Sequence, residues 1–432
     1  MKKNYQTKAA SAATVPELVM PDVIGIAMGD IADAVREGLL ALAVGAGLQV
    51  MNALMAESVT AICGPKGRHN PERTAVRHGS DDGSVTLGGR RVPVRRPRVR
   101  SVDGETEVAV PVYDLFASTE LLDEMALERM MAKLSTRRYR AGLEPVGTAV
   151  EQTAKSTSRS AVSRRFVRAT EAALGELMTA DLTGLDLVAI MIDGVHFAGH
   201  CCVVALGIGI DGRKHPLALE EGDTENSTVV KDLLAGLRDR GLDTTRPTLF
   251  VLDGAKALHA GVKAVFDQPV IQRCQLHKIR NVEAKLPDRL AATVTSKMRA
   301  AYRSDNALTA ESDLRALAAD LRKTHPGAAG SLLEGLTETL TVVRLGLPPI
   351  LRSTLRSTNA IESMIEICRD HSSNVKRWRD GEMVLRWCAA GMTEAANQFR
   401  RVKGFLHLPA LRAALDAHTA GTPTGYEQED AA

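Results

Sequence analysis

The sequence predicts an α/β protein: a mixed sheet interrupted by an all-helical insertion and preceded by a mostly helical region with an arginine-rich extended arm. Three observations predict it. Two apolar runs of strand length, Val188–Ile192 and Thr248–Leu252, each lead into Asp-Gly (Asp193-Gly194 and Asp253-Gly254). Residues 185–282 alternate between strand and helix patterns, while the stretches on either side read as helical. Residues 90–100 hold six arginines and no acid.

A chain of 432 residues exceeds one ordinary core, so several domains are expected. Hydrophobic residues make up 44%, as in a soluble globular protein. No apolar run is read as reaching membrane-spanning length. The start, Met-Lys-Lys-Asn-Tyr-Gln, lacks a secretory apolar region, so a cytoplasmic location without a membrane partner is expected. The net charge of +3 announces no partner; the distribution of charge says more. Six cysteines without a disulfide framework fit a reducing compartment. Aromatics, at 3%, are too few for base stacking to be the main binding mode.

In chain order, residues 1–15 read as a loose terminus. Pro16 to about Ile62 reads as helical, broken by Gly64-Pro-Lys-Gly. Residues 84–112 read as extended, with Gly88-Gly89 as a hairpin turn. Pro93 and Pro97 keep this arm off a central strand position. Arg90, Arg91, Arg95, Arg96, Arg98 and Arg100 are candidate phosphate neutralisers; the competing reading is an edge strand protected by charge. Residues 115–180 are helical. A Ser/Thr-rich turn before a helix beginning near Ser158 fits a helix-turn-helix, with Arg159, Ser160, Ser163 and Arg164 near its front, against the reading of an ordinary helical pair.

The pattern then becomes three strands (188–192, 200–210, 216–219), a helix capped at Asn226 or Ser227, strand 248–252, helix 256–266 and strand 270–273. The order β-β-β-α-β-α-β is that of an RNase H-like core. Residues 283–350 read as a helical insertion. Thr358 or Asn359 caps a new helix with Glu362 in its first turn. The boundaries are 1–83, helical; 84–114, β arm; 115–182, helix-turn-helix-like; 183–283, first part of the core; 284–350, insertion; 351–420, completion of the core; and 421–432, a disordered tail.

Asp193, Asp253 and Glu362 are the acids that carry chemistry. An Asp-Gly alone is most often a turn. Two of them behind buried strands, joined by an acid at a helix start, form a trio that repels itself unless cations neutralise it. Oxygen-only donors suit two Mg²⁺ (or Mn²⁺) ions, the machinery of in-line displacement at phosphorus. His196 and His200 are softer donors and read as structural.

Ile192-Asp-Gly, Leu252-Asp-Gly-Ala-Lys, Arg273-Cys-Gln-Leu-His-Lys-Ile-Arg-Asn-Val282 and Ser357-Thr-Asn-Ala-Ile-Glu362 together resemble the Mutator-type transposases of bacterial insertion sequences. The resemblance covers roughly residues 70–400. It implies a DDE transposase that cleaves and joins DNA at its element's terminal inverted repeats, with Asp193, Asp253 and Glu362 as the triad. Glu362 is preferred over Glu366 because of its Thr-Asn-x-x-Glu context. Cys274-x-x-His277 matches a family signature and is expected to be structural or to touch DNA. Cys368-x-x-His371 makes four zinc ligands on paper, but zinc is not expected. Lys376 and Arg377 are assigned to the DNA backbone, and a homodimer or higher oligomer on DNA is implied. Two rival readings stay open: another RNase H-like nuclease or resolvase, and a catalytically silent DNA-binding repressor.

Overall fold

The computed structural model describes residues 38–68, 73–222, 224 and 226–420. The readings of residues 1–37, including the start of the first helix at Pro16, and of the tail from Gly421 lie outside the described residues. The chain divides after Ala169 into two compact units.

In the first unit, helix α1 (Leu39–Cys63) is followed by strands β1 (Ala75–Leu87), β2 (Arg90–Ser101) and β3 (Glu107–Val108). Helices α2 (Pro111–Ala117), α3 (Glu120–Met131) and α4 (Thr148–Thr153) follow, and α5 (Arg159–Thr179) runs on past the boundary. The sequence Leu39–Ala56 carries no charge, and Ala41–Cys63 is long and apolar enough to cross a membrane by length and composition. That corrects the expectation that no apolar run reaches such a length. The packing is that of a core helix at one end: Val59 and Cys63 are buried against Ala75, Val99 and Val110.

Gly88 and Gly89 make the hairpin turn, at φ +54° and +73°, with Leu87 paired to Arg90. β2 is the middle strand of its sheet, but only at one end: β3 pairs with Val99 and Arg100 alone, beyond both prolines. Pro93 and Pro97 face β1 residues Ser84 and Ser80 and lie where no second partner pairs. The extended reading of 106–112 shrinks to β3, because Pro111 opens α2 at a position where its missing N–H costs nothing.

The second unit holds a five-stranded sheet ordered β6-β5-β4-β7-β8. Its strands are β4 (Leu187–Phe197), β5 (His200–Gly209), β6 (Lys214–Glu221), β7 (Thr248–Leu252) and β8 (Pro269–Arg273). β4, β5 and β6 are antiparallel, whereas β4, β7 and β8 are parallel. One face buries Ile190, Ile192, Phe250 and Leu252 under α6 (Ser227–Asp239) and α7 (Lys256–Val265). The other buries Met191, Val195, Leu249 and Val251 under α14 (Pro349–Leu355), α15 (Asn359–Ser372), α16 (Gly381–Gln398) and α17 (Leu408–Ala420). Alternate residues of each strand feed alternate faces, as the pleat requires. Asn226 caps α6, its side chain accepting from Thr228 N–H at 3.0 Å.

Between β8 and α14 in the chain come α8 (Gln275–Glu283), α9 (Asp288–Ala301), α10 (Ala307–Arg322), α11 (Pro326–Leu333), α12 (Leu336–Thr339) and α13 (Thr341–Arg344). They share their own core of Val294, Met298, Leu314, Leu321, Leu332 and neighbours. One expectation changes: the first strand does not stop at Asp193. It continues to Phe197 and turns back into β5, with Asp193 paired to Val204. What stops short of Asp193 is the pairing with β7, which ends at Met191–Val251.

Candidate active site

β4 and β7 are parallel, with Met191 opposite Val251 on one face; two residues farther on come Asp193, still within β4, and Asp253, the first residue beyond β7. That face is the one α15 covers, and α15 carries Glu362 in its first turn. Asp193 Oδ1 accepts from Gly194 N–H at 2.8 Å. Asp253 Oδ1 accepts from Ala255 N–H at 2.9 Å, the local bond that lets an Asp end a strand.

The glycine after Asp253 has two reasons to be there. Gly254 sits at φ +109°, and a Cβ on it would lie 3.1 Å from Nε of Arg273. Gly335, at φ +58°, approaches the same guanidinium from the insertion, where a Cβ would lie 2.6 Å from its Cζ. Arg273 is buried between them. It is held by Glu334 at 3.5 Å and by Glu338 at 3.5 Å, and Glu338 also takes His259 at 2.7 Å. Sequence reasoning missed this support; the Gly of Asp253-Gly254 was its one visible trace.

Glu362 is half-buried. Its N–H donates to Thr358 O at 2.9 Å, its Oε1 accepts from Thr358 Oγ1 at 2.9 Å, and His277 Nε2 stands 3.8 Å away. Glu366, one turn on, is exposed. The Cys274–His277 turn is pinned beside the Asp253 loop, since Cys274 N–H donates to Leu252 O at 2.7 Å.

The electrostatics follow from this crowding. Burial pushes the Asp193 carboxyl up to about 6; the Gly194 N–H opposes it, Asp253 and Glu362 add to it, and His277 opposes it. His277 is pushed up to about 9, chiefly by its hydrogen bond with Cys274, against burial and with help from Asp193 and Glu362. Burial would raise the Cys274 thiol, but the hydrogen bonds it accepts, that of His277 first, outweigh burial and lower it.

An all-oxygen, mutually repelling donor set fits hard divalent cations in its chemistry. Among the described residues, no three His, Cys, Asp or Glu side chains converge tightly enough to hold a metal ion as they stand. The two Cys-x-x-His pairs engage different partners: Cys368 packs into the α15–α16 interface, 3.7 Å from Cys388 O. His200 pairs with Glu221 at 2.9 Å, and His196 lies 3.9 Å from Cys201.

The candidate DNA contacts fare unevenly. Arg90 is 2% exposed and ion-paired with Glu151 at 2.7 Å, with its Nε–H left without a well-aligned acceptor. It has no surface to offer a phosphate, which corrects its assignment. Arg91 is spent on Ala117 O (2.5 Å) and Ser84 O (2.6 Å). Arg98 bridges Glu107 (2.8 Å) and Asp81 (3.3 Å), while Arg100 stands 3.6 Å from Glu107. Arg96 stacks over Tyr113, and Arg95, paired with Asp82, keeps most of its side chain in solvent. Arg159, Ser160, Ser163 and Arg164 are exposed at the start of α5. Lys376 and Arg377 are exposed in the loop before α16, next to Trp378, whose ring packs 4.9 Å from Phe197 and 6.3 Å from Trp387.

A mixed α/β protein with three acids gathered where the pairing of its two central parallel strands ends is the class that fold and site define. A family profile described as "Transposase, Mutator family" matches residues 35–402, and the chain belongs to that family. It is 26% identical over 369 residues to the transposase for insertion sequence element ISRM5 of Rhizobium meliloti (strain 1021), covering 84% of this chain and 89% of that one. The transposase for insertion sequence element IS6120 of Mycolicibacterium smegmatis is 30% identical over 195 residues, 44% of this chain and 59% of its own. A probable insertion-sequence transposase of Corynebacterium diphtheriae is 28% identical over 226 residues, 51% and 65% of the two chains.

Proposed function

We propose that this transposase is a DDE enzyme with an RNase H-like core, cleaving and joining DNA at the terminal inverted repeats of an insertion sequence through Asp193, Asp253 and Glu362. The observation that carries the reading is that Asp193 and Asp253 each lie two residues past the last pair joining two neighbouring parallel strands, with the charges of Asp253 and Glu362 both acting on Asp193. The sheet order, three antiparallel strands extended on the β4 side by two strands parallel to β4, supports the fold assignment.

Asp193 and Asp253 would hold two Mg²⁺ (or Mn²⁺) ions between them, and Glu362 would complete the second site. Such ions, when bound, supply an activated water or 3′-hydroxyl and charge stabilisation for the leaving oxygen. The chain's own contribution is position: the rigid pairing of β4 with β7 fixes two carboxylates, and the first turn of α15 fixes the third. Phosphate contacts are assigned to Arg95 and Arg96 of the hairpin, Arg159 and Arg164 of α5, and Lys376 and Arg377. Base contacts fall to the front of α5. DNA joining needs two ends, so a homodimer or higher oligomer on DNA is the working assembly, in the cytoplasm at the nucleoid.

The test is cleavage and strand transfer of a labelled inverted-repeat duplex with Mg²⁺, comparing the natural chain with Asp193→Asn, Asp253→Asn and Glu362→Gln. Each substitution is expected to abolish both steps while DNA binding persists. Retention of both steps by any one variant removes that residue from the triad. Cleavage by the natural chain without joining of the 3′ end would favour a nuclease or resolvase instead.

A further inference from the structure

Thr358 occupies the N-cap position of α15, where a threonine hydroxyl ordinarily accepts from a first-turn amide. Its side chain makes no such bond. The residue is wholly buried, and its Oγ1 lies 2.9 Å from Glu362 Oε1, 3.4 Å from His277 Nδ1 and 3.5 Å from Cys274 Sγ. A carboxylate can only accept, and it is nearer and a stronger acceptor than the Cys274 sulfur, so the one hydroxyl proton goes to Glu362 rather than to Sγ; the oxygen's lone pairs remain for the Nδ1–H of His277.

Both ends of this chain of bonds are anchored by backbone. Glu362 N–H donates to Thr358 O, and Gln275 N–H donates to Arg356 O, each at 2.9 Å. Cys274 Sγ accepts from His277 N–H at 3.5 Å, capping α8 and fixing where the imidazole stands.

We propose that Thr358 is the positioning residue of Glu362, its hydroxyl carrying a hydrogen-bond relay from His277 Nδ1 to the carboxylate. The relay selects the glutamate rotamer that faces Asp193. A free glutamate side chain spreads over many rotamers, and a buried donor at 2.9 Å removes that freedom. The helix gives up a side-chain cap to do so, which a residue serving α15 alone would have no reason to do. The Cys-x-x-His signature thereby acquires a task without metal: it orients the third acid. The proposal rests on the reading of Glu362 as catalytic.

The test uses the full chain and two readouts. One is the Mg²⁺ concentration for half-maximal cleavage of inverted-repeat DNA. The other is the Mg²⁺ concentration for half of the metal-induced rise in Tm without DNA. Thr358→Val, the same shape without the hydroxyl, is expected to shift both by about 10-fold, and Thr358→Ser to restore them to near the natural values. Thr358→Val that titrates like the natural chain overturns the proposal.

A second pair keeps the test decisive if Thr358→Val folds poorly. His277→Asn places an N–H near Nδ1 and should retain more activity than His277→Gln, whose N–H falls near Nε2; the reverse order overturns the relay. Glu362→Gln separates the two levels. If it cleaves normally, the reading of Glu362 falls and the proposal with it. If it is inactive while Thr358→Val is normal, the proposal alone falls.

Discussion

The arginine-rich hairpin and the acidic sheet edge are both clusters of like charge in the sequence, and the fold treats them in opposite ways. In the hairpin each arginine finds a partner. Asp82 takes Arg95, Asp81 and Glu107 take Arg98, and Glu151 takes Arg90. Glu107 is held down to about 2, first by its hydrogen bond to Arg98. At the acidic edge burial and two further carboxylates push Asp193 up, and the cationic neighbour opposing them is His277. Charge neutralised inside the fold is framework. Charge left in mutual repulsion is held for something that arrives, because a fold tolerates such a cost only where function requires it.

The largest effect expected from this contrast is at the acidic edge. Asp253→Asn keeps the Oδ1 that accepts from Ala255 N–H and removes the charge, so the fold should persist while cleavage falls on the order of 10³-fold. Circular dichroism and a cleavage time course read the two halves. Full activity would place Asp253 with the framework charges and erase the contrast.

Next comes Arg90, the hairpin residue most like a core group. Arg90→Ala vacates a buried pocket and leaves Glu151 to Arg140 alone, and should cost about 1–2 kcal/mol. Arg95→Ala, on an exposed pair, should leave Tm nearly unchanged while lowering the salt slope of DNA binding by about 1. Urea denaturation and a salt titration of binding check both. If Arg90→Ala altered the salt slope without loss of stability, its burial would have been misjudged as framework.

Gly254 tests how rigidly the edge is built. Gly254→Ala asks an L-residue to hold φ +109° while its Cβ meets the Arg273 guanidinium, which itself is braced by Glu334 and Glu338. About 2 kcal/mol of stability should be lost. Arg273→Ala in the same chain should recover part of it by opening the space, a coupling that a double-mutant cycle measures.

Local chemistry was legible in the sequence wherever it was written locally. The Gly88-Gly89 turn, the Asn226 cap, the apolar strands and the Asp-Gly steps all follow from residues a few positions apart. The partners that decide what the charges do were not. The acids that quench Arg90–Arg100 come from β1, β3 and α4, outside any window that shows six arginines and no acid. Strand β4 looked finished at Asp193 because its apolar run ends there, but its hydrogen-bonded life continues along β5, where Gly194 pairs with Val203. Thr358 looked like a cap because a cap is what its position in the chain offers; its true acceptor is set by a helical turn of Glu362 and by an imidazole 81 residues away.

The gentlest prediction runs against intuition, because it makes an active-site substitution stabilising. The folded state holds Asp193 at about 6, above the ordinary carboxylate value of about 3.9. A raised folded value means the native state binds the proton more tightly than the unfolded chain does. The associated stability is therefore present below about pH 4 and is lost as pH rises through about 6. Asp193→Asn never ionises and escapes that loss. In metal-free buffer at pH 7.5 the variant should be more stable than the natural chain by about 1–2 kcal/mol, the full shift being discounted for partial exposure; near pH 4 the two should converge. Adding Mg²⁺ should close the gap by raising the Tm of the natural chain and leaving the variant where it was. Equal melting curves for the two proteins from pH 4 to 8 would mean that the acidic edge is already neutralised from within, as the hairpin is.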